Sequence, residues 1–309
     1  MTQAHASGKV ILFGEHAVVY GQPAIAVPVS QVGVTVTIET IPGGSRVISN
    51  LIGRNALLSS IPPSDPFMAL IAVFFQATGT DPRHGVQFEI DSTIPVASGL
   101  GSGAAVSIAL LRALNAHYST NLGPVAINEL AYEIEKIHHG SPSGIDNSVI
   151  AFDKPVFFVK GHPIETLNPV LPLDLLIGDT GIYAPTSQSV GDVKLLFHNH
   201  PELYQPIIDQ VGEIAREARA CIENGLPESL GKLMIENHQL LRRLTVSCGE
   251  LDRLVEAAIQ NGAIGAKLSG GGRGGNMIAL VTPENAGAVR QALLAAGAKA
   301  VYGTTVMPL

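Results

Sequence analysis

The sequence predicts a two-domain protein of the α+β class. Its 309 residues are about the length of two domains. Hydrophobic residues make up 46% of the chain and charged residues only 15%, which provides ample material for cores and gives no sign of disorder. In the second half, the predicted elements follow the order strand, helices, strand, strand, helix, strand. That order is typical of a small α+β sandwich.

Charge, cysteines and apolar runs restrict the partners and the compartment. The net charge of −7 argues against general nucleic-acid or anionic-membrane binding, which needs basic patches. Cys221 and Cys248 lack metal-type spacing and favour a reducing compartment. No signal peptide is visible, because the first apolar run has only four residues. The uncharged run at 92–111 contains a proline and three glycines, which argues against a membrane span. We therefore expect a cytoplasmic protein with no nucleic-acid or membrane partner.

The first half opens with strand signals that the sequence Gly14-Glu15-His16 interrupts. Apolar and polar residues alternate over 32–38 and again over 86–90, the period of two that marks a half-buried strand. We expect residues 46–52 to pair with the strand at 32–38. The elements predicted here are strands at 10–13, 24–29, 32–38, 46–52 and 86–90 and a helix at 67–77.

A glycine-rich loop at 94–105, IPVASGLGSGAA, is the strongest single feature. A helix is predicted from about 102 to 117, directly behind the loop. Glycines let a ligand approach the main chain, and a helix start presents free N–H groups and a positive dipole end. The loop and helix together predict an anion site, most commonly for phosphate. The loop carries three glycines and two serines, Gly99, Gly101, Gly103, Ser98 and Ser102.

Two other interpretations of this loop stay open, and a P-loop is excluded because no lysine follows the glycines. Gly99, Gly101 and Ala104 fit a dinucleotide-binding fingerprint. That fingerprint needs an acidic residue about 20 positions later, whereas position 119 is serine and the next acid is Glu129. The other alternative is a small-residue loop that serves only close packing.

The next helix is predicted from Pro124, a residue suited to a first helical position. Glu135 lies at the edge of its apolar stripe and is a candidate ligand, although a surface role stays open. The turn at 141–144 contains serine, proline and glycine, a composition typical of turns. It delivers Asp146 to a fixed place, with an Asx-turn as the alternative. The buried stripe consists of Ile127, Leu130, Ala131, Ile134 and Ile137.

The second half contains another glycine-rich loop, SGGGRGG at 269–275, held between two predicted strands. Lys267 precedes it and Arg273 lies within it. A domain boundary is predicted at 169–172. The predicted strands are 155–159, 173–178, 264–268, 277–281 and 298–306, and the predicted helices are 188–199, 202–224, 227–246, 251–260 and 283–296.

Three separated motifs resemble one kinase family, named after galactokinase, homoserine kinase, mevalonate kinase and phosphomevalonate kinase (the GHMP kinases). They are GKVILFGEHAVVYG at 8–21, PVASGLGSGAA at 95–105 and KLSGGGRGG at 267–275. The resemblance implies an N-terminal domain, 1–168, with a left-handed βαβ unit. It also implies a ferredoxin-like C-terminal domain, 169–309, with ATP and substrate in the cleft between the two.

The resemblance also implies the residues of the site. Asp146 matches the general base, and Lys9 matches the cation that stabilises charge and lowers the alcohol's pKa. A carboxylate beside an ammonium stays ionised. The matching substrate-binding residues are Glu15, His16, Ser143, Gly144 and Thr186. The matching ATP-binding residues are Pro95, Ser98, Gly99, Leu100, Gly101, Ser102, Gly103, Ala104, Gly271 and Gly272. Mg²⁺ needs hard oxygen ligands, and Glu135 and Ser102 match its protein ligands.

Two residues depart from the family pattern. The family loop usually reads GLGSSAA, and here Gly103 replaces its second serine, the expected magnesium hydroxyl. Either Ser102 takes its place, or Glu135 and water hold the metal with one fewer protein ligand; Ser102 is the preferred assignment. Arg273 interrupts a run that is usually all glycine. It either reaches a phosphate, with which guanidinium pairs well, or is an exposed loop arginine.

The motifs at 8–21 and 139–147 are most similar to those of family members that act on mevalonate. The expected reaction is therefore ATP-dependent phosphorylation of (R)-mevalonate at its 5-hydroxyl, giving 5-phosphomevalonate and ADP, in the mevalonate route to isoprenoids. Two alternatives stay open. One is a kinase for another small alcohol (phosphomevalonate, homoserine or a sugar), and the other is a non-catalytic sensor of nucleotide and metabolite. The family is also compatible with a homodimer.

Overall fold

The structure is a computed structural model that describes residues 1–50, 52–82, 85–95, 99–139 and 143–308, without the side chains of 137–139. No helix in these stretches combines the length and apolar character needed to cross a bilayer.

The strands are β1 Thr2–Phe13, β2 Ala24–Thr40, β3 Arg46–Ser49, β4 Arg54–Leu57, β5 Val86–Ser92, β6 Val156–Phe158, β7 Glu165–Thr166, β8 Leu173–Asp179, β9 Gly265–Ser269, β10 Asn276–Val281 and β11 Ala300–Val306. The helices are α1 Pro66–Thr78, α2 Ser102–Tyr118, α3 Pro124–His139, α4 Ile145–Phe152, α5 Thr186–Asn199, α6 Pro201–Glu223, α7 Pro227–Arg243, α8 Gly249–Gln260 and α9 Ala286–Ala295.

The described residues pack into two compact units whose segments alternate along the chain. The first unit contains residues 1–8, 32–95 and 100–153, and the second contains residues 9–31, 99 and 154–308. Strands β1 and β2 therefore each contribute residues to both units. The division into family domains at 168/169 stays a prediction.

A mixed sheet forms the core of the first unit, in the order β4-β3-β5-β2. The antiparallel pair β2–β5 runs from Val34 opposite Ser92 to Thr40 opposite Val86. The predicted alternation is confirmed, because Val36, Ile38 and the apolar residues of β5 are buried. The expected pairing of residues 46–52 with strand 32–38 is wrong: β3 pairs with β4 and β5, so β5 lies between β3 and β2.

Strands β3 and β5 run parallel, so the chain between them crosses over, and α1 lies in that connection. Asp65 caps α1 by accepting a hydrogen bond from the Phe67 N–H at 3.0 Å. Pro66 occupies the first helical position and Gly79 ends the helix with φ 63°. Phe67 packs edge-on against Phe88 of β5, with ring centroids 5.3 Å apart. These elements form the βαβ unit that the family resemblance implies, and its left-handedness stays a prediction.

The second unit is built on a four-stranded sheet in the order β11-β8-β10-β9. All three neighbouring pairs are antiparallel. Helices α5–α8 connect β8 to β9, and α9 connects β10 to β11. With its strands numbered one to four along the chain, the sheet reads 4-1-3-2 and matches the predicted ferredoxin-like arrangement. In the same unit, the first part of β2 pairs with β6, and β6 pairs with β7.

Two facing glycines set the distance between α7 and β9. A Cβ added to Gly231 of α7 would lie 2.3 Å from the Ile264 carbonyl oxygen. One added to Gly265 of β9 would lie 2.4 Å from the Gly231 Cα. Since backbone atoms lie in the way, only glycine at both positions allows the helix to approach the strand this closely.

Several elements differ from the sequence-based expectation. Strand β1 begins at Thr2 rather than at residue 10, the predicted strands 24–29 and 32–38 form the single strand β2, and β4 and β7 were not predicted. Helix α4 was not predicted either, so Asp146, expected in a turn, lies in the first turn of a helix. The remaining helices of the second unit begin and end within a few residues of the predicted limits.

Candidate functional site

The first glycine loop leads into α2 as predicted. Gly101 caps the helix with φ 77°, a left-handed conformation that suits glycine. Leu100 is fully buried and anchors the loop, while Ser102 begins the helix. The first N–H groups of α2 therefore point back toward the loop. Ser98, predicted to bind ATP, lies outside the described residues.

A cavity of about 350 Å³ lies in the first unit, beside the start of α2. Ser102 and Gly103 of α2 and Glu135 of α3 contribute to its wall. Most of the remaining wall is apolar, and Arg54 and Asp65 form an ion pair on it at 2.8 Å. The other lining residues are Val47, Ser49, Ile52, Pro66, Phe67, Leu70, Ile90, Val106, Ser107, Leu110 and Ile134. A helix start of the kind that binds phosphate thus adjoins a largely apolar space.

Ser102 and Glu135 come from different helices and line the same cavity. A hydroxyl and a carboxylate are both hard oxygen donors of the kind that Mg²⁺ takes, and Mg²⁺ usually keeps several waters. The predicted pair therefore fits a magnesium ion with few protein ligands. Ile134 beside Glu135 is buried, which confirms that Glu135 lies at the edge of the buried stripe.

Gly8 brings β1 close to the first glycine loop. A Cβ added to Gly8 would lie 3.2 Å from the Leu100 carbonyl oxygen, so a side chain at this position would press on the loop. Lys9 is the next residue of the strand and is only 5% exposed. The predicted cation is thus a buried side chain of β1, directly after this contact.

Asp146 lies in the first turn of α4. Gly144 caps this helix with φ 87°, and the Ile145 N–H donates to the Ser143 hydroxyl at 3.4 Å. The side-chain amide of Asn147 donates to the Asn128 side chain at 2.7 Å and so ties α4 to α3. Asp146 is not among the described residues that line the cavity. Ser143, Gly144 and Asp146 nevertheless lie together in one short segment at the helix start.

Glu15 lies in a buried polar cluster of the second unit. Lys267 donates to its Oε1 atom, and the Asn237 amide donates to its Oε2 atom at 3.1 Å. Lys267 also donates to the Leu268 carbonyl at 2.7 Å. Burial lowers the pKa of Lys267 from its ordinary value, and Glu15 counteracts that shift. Sequence reasoning expected Glu15 to line the substrate pocket and did not anticipate that Lys267 and Asn237 hold its carboxylate.

His16 follows Glu15 and has an unusual backbone, with φ 60°. Its Nε2 atom lies 3.1 Å from the Gly271 carbonyl oxygen. A carbonyl only accepts, so Nε2 carries the hydrogen and Nδ1 is the acceptor of the neutral ring. Nδ1 is buried and has no protein hydrogen-bond partner among the described residues. Burial lowers the pKa of His16 to about 4; the hydrogen bond to Gly271 opposes this shift, and the Arg273 charge adds to it.

The second glycine loop packs against the start of α5. A Cβ added to Gly271 would lie 3.0 Å from both the Thr186 and the Ser189 hydroxyl oxygens. One added to Gly272, whose φ is 74°, would lie 1.9 Å from the Val246 carbonyl oxygen. Packing thus explains both glycines, and their predicted contact with ATP stays a prediction. Thr186 is exposed at the first position of α5.

The two glycine-rich motifs also meet within the second unit. A Cβ added to Gly99 of the first loop would lie 3.6 Å from the Asn276 side-chain nitrogen. Asn276 begins β10, directly after the second loop. The fold therefore brings part of one predicted ATP-binding motif beside the end of the other.

Arg273 makes a contact that neither of its two sequence-based interpretations included, and a contact of its guanidinium with a phosphate stays a prediction. Its guanidinium forms an ion pair with Asp192 of α5, and its side chain is 30% exposed. The arginine is therefore a partly buried structural contact between the second glycine loop and α5.

Comparison with known proteins identifies the family. The model for the GHMP kinases N terminal domain matches residues 67–154, and the model for the GHMP kinases C terminal matches residues 218–299. A mevalonate kinase of Pyrococcus horikoshii is 35% identical over 295 residues, which cover 90% of this chain and 88% of the relative. The chain belongs to the GHMP kinase family. The predicted family, the two-domain fold of mixed helices and sheets, and the kinase class are thereby confirmed.

Solved structures of GHMP kinases share the fold over nearly the whole chain. The L. major mevalonate kinase in complex with R-mevalonate has a TM-score of 0.85 at 31% identity and covers 100% of this chain and 96% of that protein. The Methanococcus jannaschii mevalonate kinase has a TM-score of 0.86 at 27% identity and covers 99% of this chain and 98% of that protein.

The structure of this GHMP kinase brings six of the predicted site residues together in two groups. In the first unit, Ser102, Gly103 and Glu135 share the cavity wall. In the second unit, His16 contacts Gly271, and Gly271 contacts Thr186. The cavity residues of β3, β4 and α1 were missed, because neither spacing nor composition marks them as a binding surface.

Proposed function

We propose that this protein transfers the γ-phosphoryl group of ATP to the 5-hydroxyl of (R)-mevalonate and releases 5-phosphomevalonate and ADP. The cavity that places Glu135 and the start of α2 on one wall supports the reaction class. The relatives named mevalonate kinase support the choice of substrate. Phosphoryl transfer asks little covalent chemistry of a protein and depends on positioning and on charge stabilisation.

The nucleotide occupies the cavity of the first unit in this proposal. Its apolar wall takes up the nucleoside, and the N–H groups at Ser102 and Gly103 face the phosphates. The net charge of the protein is −7, so helix N–H groups and local cations, rather than overall charge, must hold the anion. ATP as the phosphoryl donor agrees with membership of the GHMP kinases.

Glu135 and Ser102 would hold the magnesium ion, since both residues line the cavity. When bound, Mg²⁺ would neutralise charge on the phosphates during transfer. The protein's own contribution is to supply the two oxygen donors from two helices, α3 and α2.

Asp146 is the proposed base that accepts the proton of the attacking hydroxyl. Its place in the first turn of α4 is favourable for a negative charge, because the helix start carries positive partial charge. Ser143 and Gly144 belong to the same short segment and would shape the alcohol site beside it. Lys9 would supply the cation that stabilises the charge at the reacting oxygen.

His16 and Thr186 are the proposed contacts of the second unit to mevalonate. The buried Nδ1 atom of His16, which has no protein hydrogen-bond partner within the described part of the chain, is an acceptor that a substrate hydroxyl or a bound water can satisfy. Glu15, in contrast, has both carboxylate oxygens engaged within the protein, so its role is to hold the segment that carries His16.

The test is ADP release coupled to (R)-mevalonate, measured on the wild type and on Asp146→Asn together, with ATP affinity determined separately. We expect robust turnover in the wild type and a loss of about 10²-fold or more in the variant, with unchanged ATP affinity. Turnover that survives in the variant would remove Asp146 as the base. A wild type that binds mevalonate without turnover would indicate a sensor.

A substrate panel at equal concentration tests specificity. We expect mevalonate to exceed phosphomevalonate, homoserine and galactose in kcat/KM, and a higher value for any of the others would overturn the substrate assignment. Cytoplasmic location and a homodimer remain predictions, which cell fractionation and light scattering would test.

A further inference from the structure

One face of α5 rests on the second glycine loop. Thr186, Ser189 and Asp192 are spaced three residues apart and so lie on one side of the helix. The first two contact Gly271 closely enough that a Cβ there would lie 3.0 Å from each hydroxyl oxygen. Asp192 forms its ion pair with Arg273. The start of α5 is therefore fixed by two contacts to the same loop.

Arg273 is itself held in an unfavourable backbone conformation. Its φ is 59°, a left-handed value that costs a non-glycine residue free energy. Its backbone N–H donates to the Val246 carbonyl at 2.7 Å, and its Nε donates to the Thr245 carbonyl at 3.3 Å. The side chain thus ties the loop both to the segment after α7 and to α5, contacts that a glycine at this position could not make.

The loop passes this restraint on to His16. The Gly271 carbonyl accepts the hydrogen bond of His16 Nε2 at 3.1 Å, and this bond leaves Nδ1 as the acceptor. Gly271 both accepts the hydrogen bond of His16 and packs against Thr186. Because Gly271 and Arg273 are only two residues apart, a shift of the loop at Arg273 would change both contacts.

We propose that the Arg273–Asp192 pair is a clamp that positions Thr186 and His16 for the acceptor alcohol. Arg273 is thus a positioning residue for the alcohol rather than a ligand of the nucleotide phosphates. The assignment deepens the proposed function and rests on it, since Thr186 and His16 are its proposed mevalonate contacts.

The experiment compares Arg273→Gly, Asp192→Ala and the exchanged double variant Arg273→Asp/Asp192→Arg. Glycine and aspartate both accept a left-handed backbone at 273 better than most residues, so these variants test the side chain rather than backbone strain. We expect each single variant to raise KM for mevalonate by about fivefold, with KM for ATP unchanged. The exchanged pair should recover most of the loss.

A matched control is Glu223→Gln, which removes one partner of the surface ion pair with Arg219 on α6. It should leave both KM values unchanged. A raised KM for ATP in Arg273→Gly would overturn the clamp in favour of a phosphate contact. Unchanged kinetics in both single variants, or an exchanged pair worse than either, would also overturn it.

A second measurement separates failure of the clamp from failure of the proposed function. Backbone hydrogen exchange in residues 186–192 reports the position of α5 without any substrate. We expect faster exchange there in both single variants and recovery in the exchanged pair. If the wild type does not phosphorylate mevalonate, the proposed function is wrong. The hydrogen exchange of residues 186–192 then tests by itself whether the Arg273–Asp192 pair positions α5. Unchanged exchange would then reject it.

Discussion

Substitution of Gly103 by serine can test which hydroxyl group binds magnesium. Gly103 is the second residue of α2, and a Cβ added there meets no atom of the described residues within 4 Å. A serine would therefore fit without displacing any of these residues. The open space means that packing does not require the glycine, so its effect on catalysis and on helix stability can be measured separately.

We predict that Gly103→Ser leaves turnover at saturating Mg²⁺ within about twofold of the wild type and raises the free energy of unfolding by up to about 1 kcal/mol, since glycine is a poor helix former. Ser102→Ala should instead raise the Mg²⁺ concentration for half-maximal activity by about tenfold or more. Magnesium titrations of both variants check this. If Gly103→Ser lowered the required Mg²⁺ strongly and Ser102→Ala did not raise it, the metal would belong to position 103.

The positions of individual site residues could be predicted from the sequence where neighbouring residues determine them. The start of α2 and the position of Glu135 followed from glycine spacing and helix periodicity. The Glu15–Lys267 pair could not be foreseen, because its partners are 252 positions apart and no local pattern links them. The ion pair of Arg273 could not be predicted either, since its partner Asp192 lies on α5, 81 positions away.

Among the elements, α7 and β9 approach each other closely because Gly231 and Gly265 have no side chains. We predict that Gly231→Ala lowers the free energy of unfolding by about 2 kcal/mol, because its Cβ would meet backbone atoms that cannot rotate away. Denaturant titration checks it. Gly287→Ala in α9 is the matched control, since a Cβ there meets no described atom within 4 Å. This variant should be neutral or stabilising by up to about 1 kcal/mol. Equal effects in the two variants would contradict this account of α7.

The elements that the sequence missed share a physical cause. The segment before α4 contains proline, serine and glycine, whose turn chemistry hid the short helix that Gly144 begins. The start of β1 carries polar residues on its exposed positions, so it lacked the apolar run expected of a strand. In the long helices of the second unit, by contrast, apolar periodicity extends over many turns and fixed both type and position.

For the whole molecule, two buried histidines predict sensitivity to acid. Burial lowers the pKa of His16 and of His238 from 6.5 to about 4; for His238 the Asp252 carboxylate opposes the shift. Between pH 6.5 and about pH 4, the two imidazole rings are protonated in the unfolded chain but stay neutral in the folded protein. The free energy of unfolding should therefore fall across this window, by a maximum on the order of 3 kcal/mol per histidine.

Urea titrations at pH 7 and pH 5 measure this loss. His238→Gln removes one titrating ring while keeping a side chain that can bond to Asp252, and it should show a smaller loss between the two pH values. His16→Asn, which tolerates the positive φ, should act in the same direction. Identical losses in the wild type and both variants would assign the acid sensitivity to other groups.

The interleaving of the two compact units also bears on synthesis of the chain. Residues 9–31 emerge from the ribosome early but pack with residues from 154 onward. At bacterial and eukaryotic translation rates, that wait is on the order of ten to thirty seconds. During this time β1 and β2 can pair with each other, but residues 9–31 lack the remainder of the second unit. We therefore expect that slower translation downstream of β6 lowers the soluble yield.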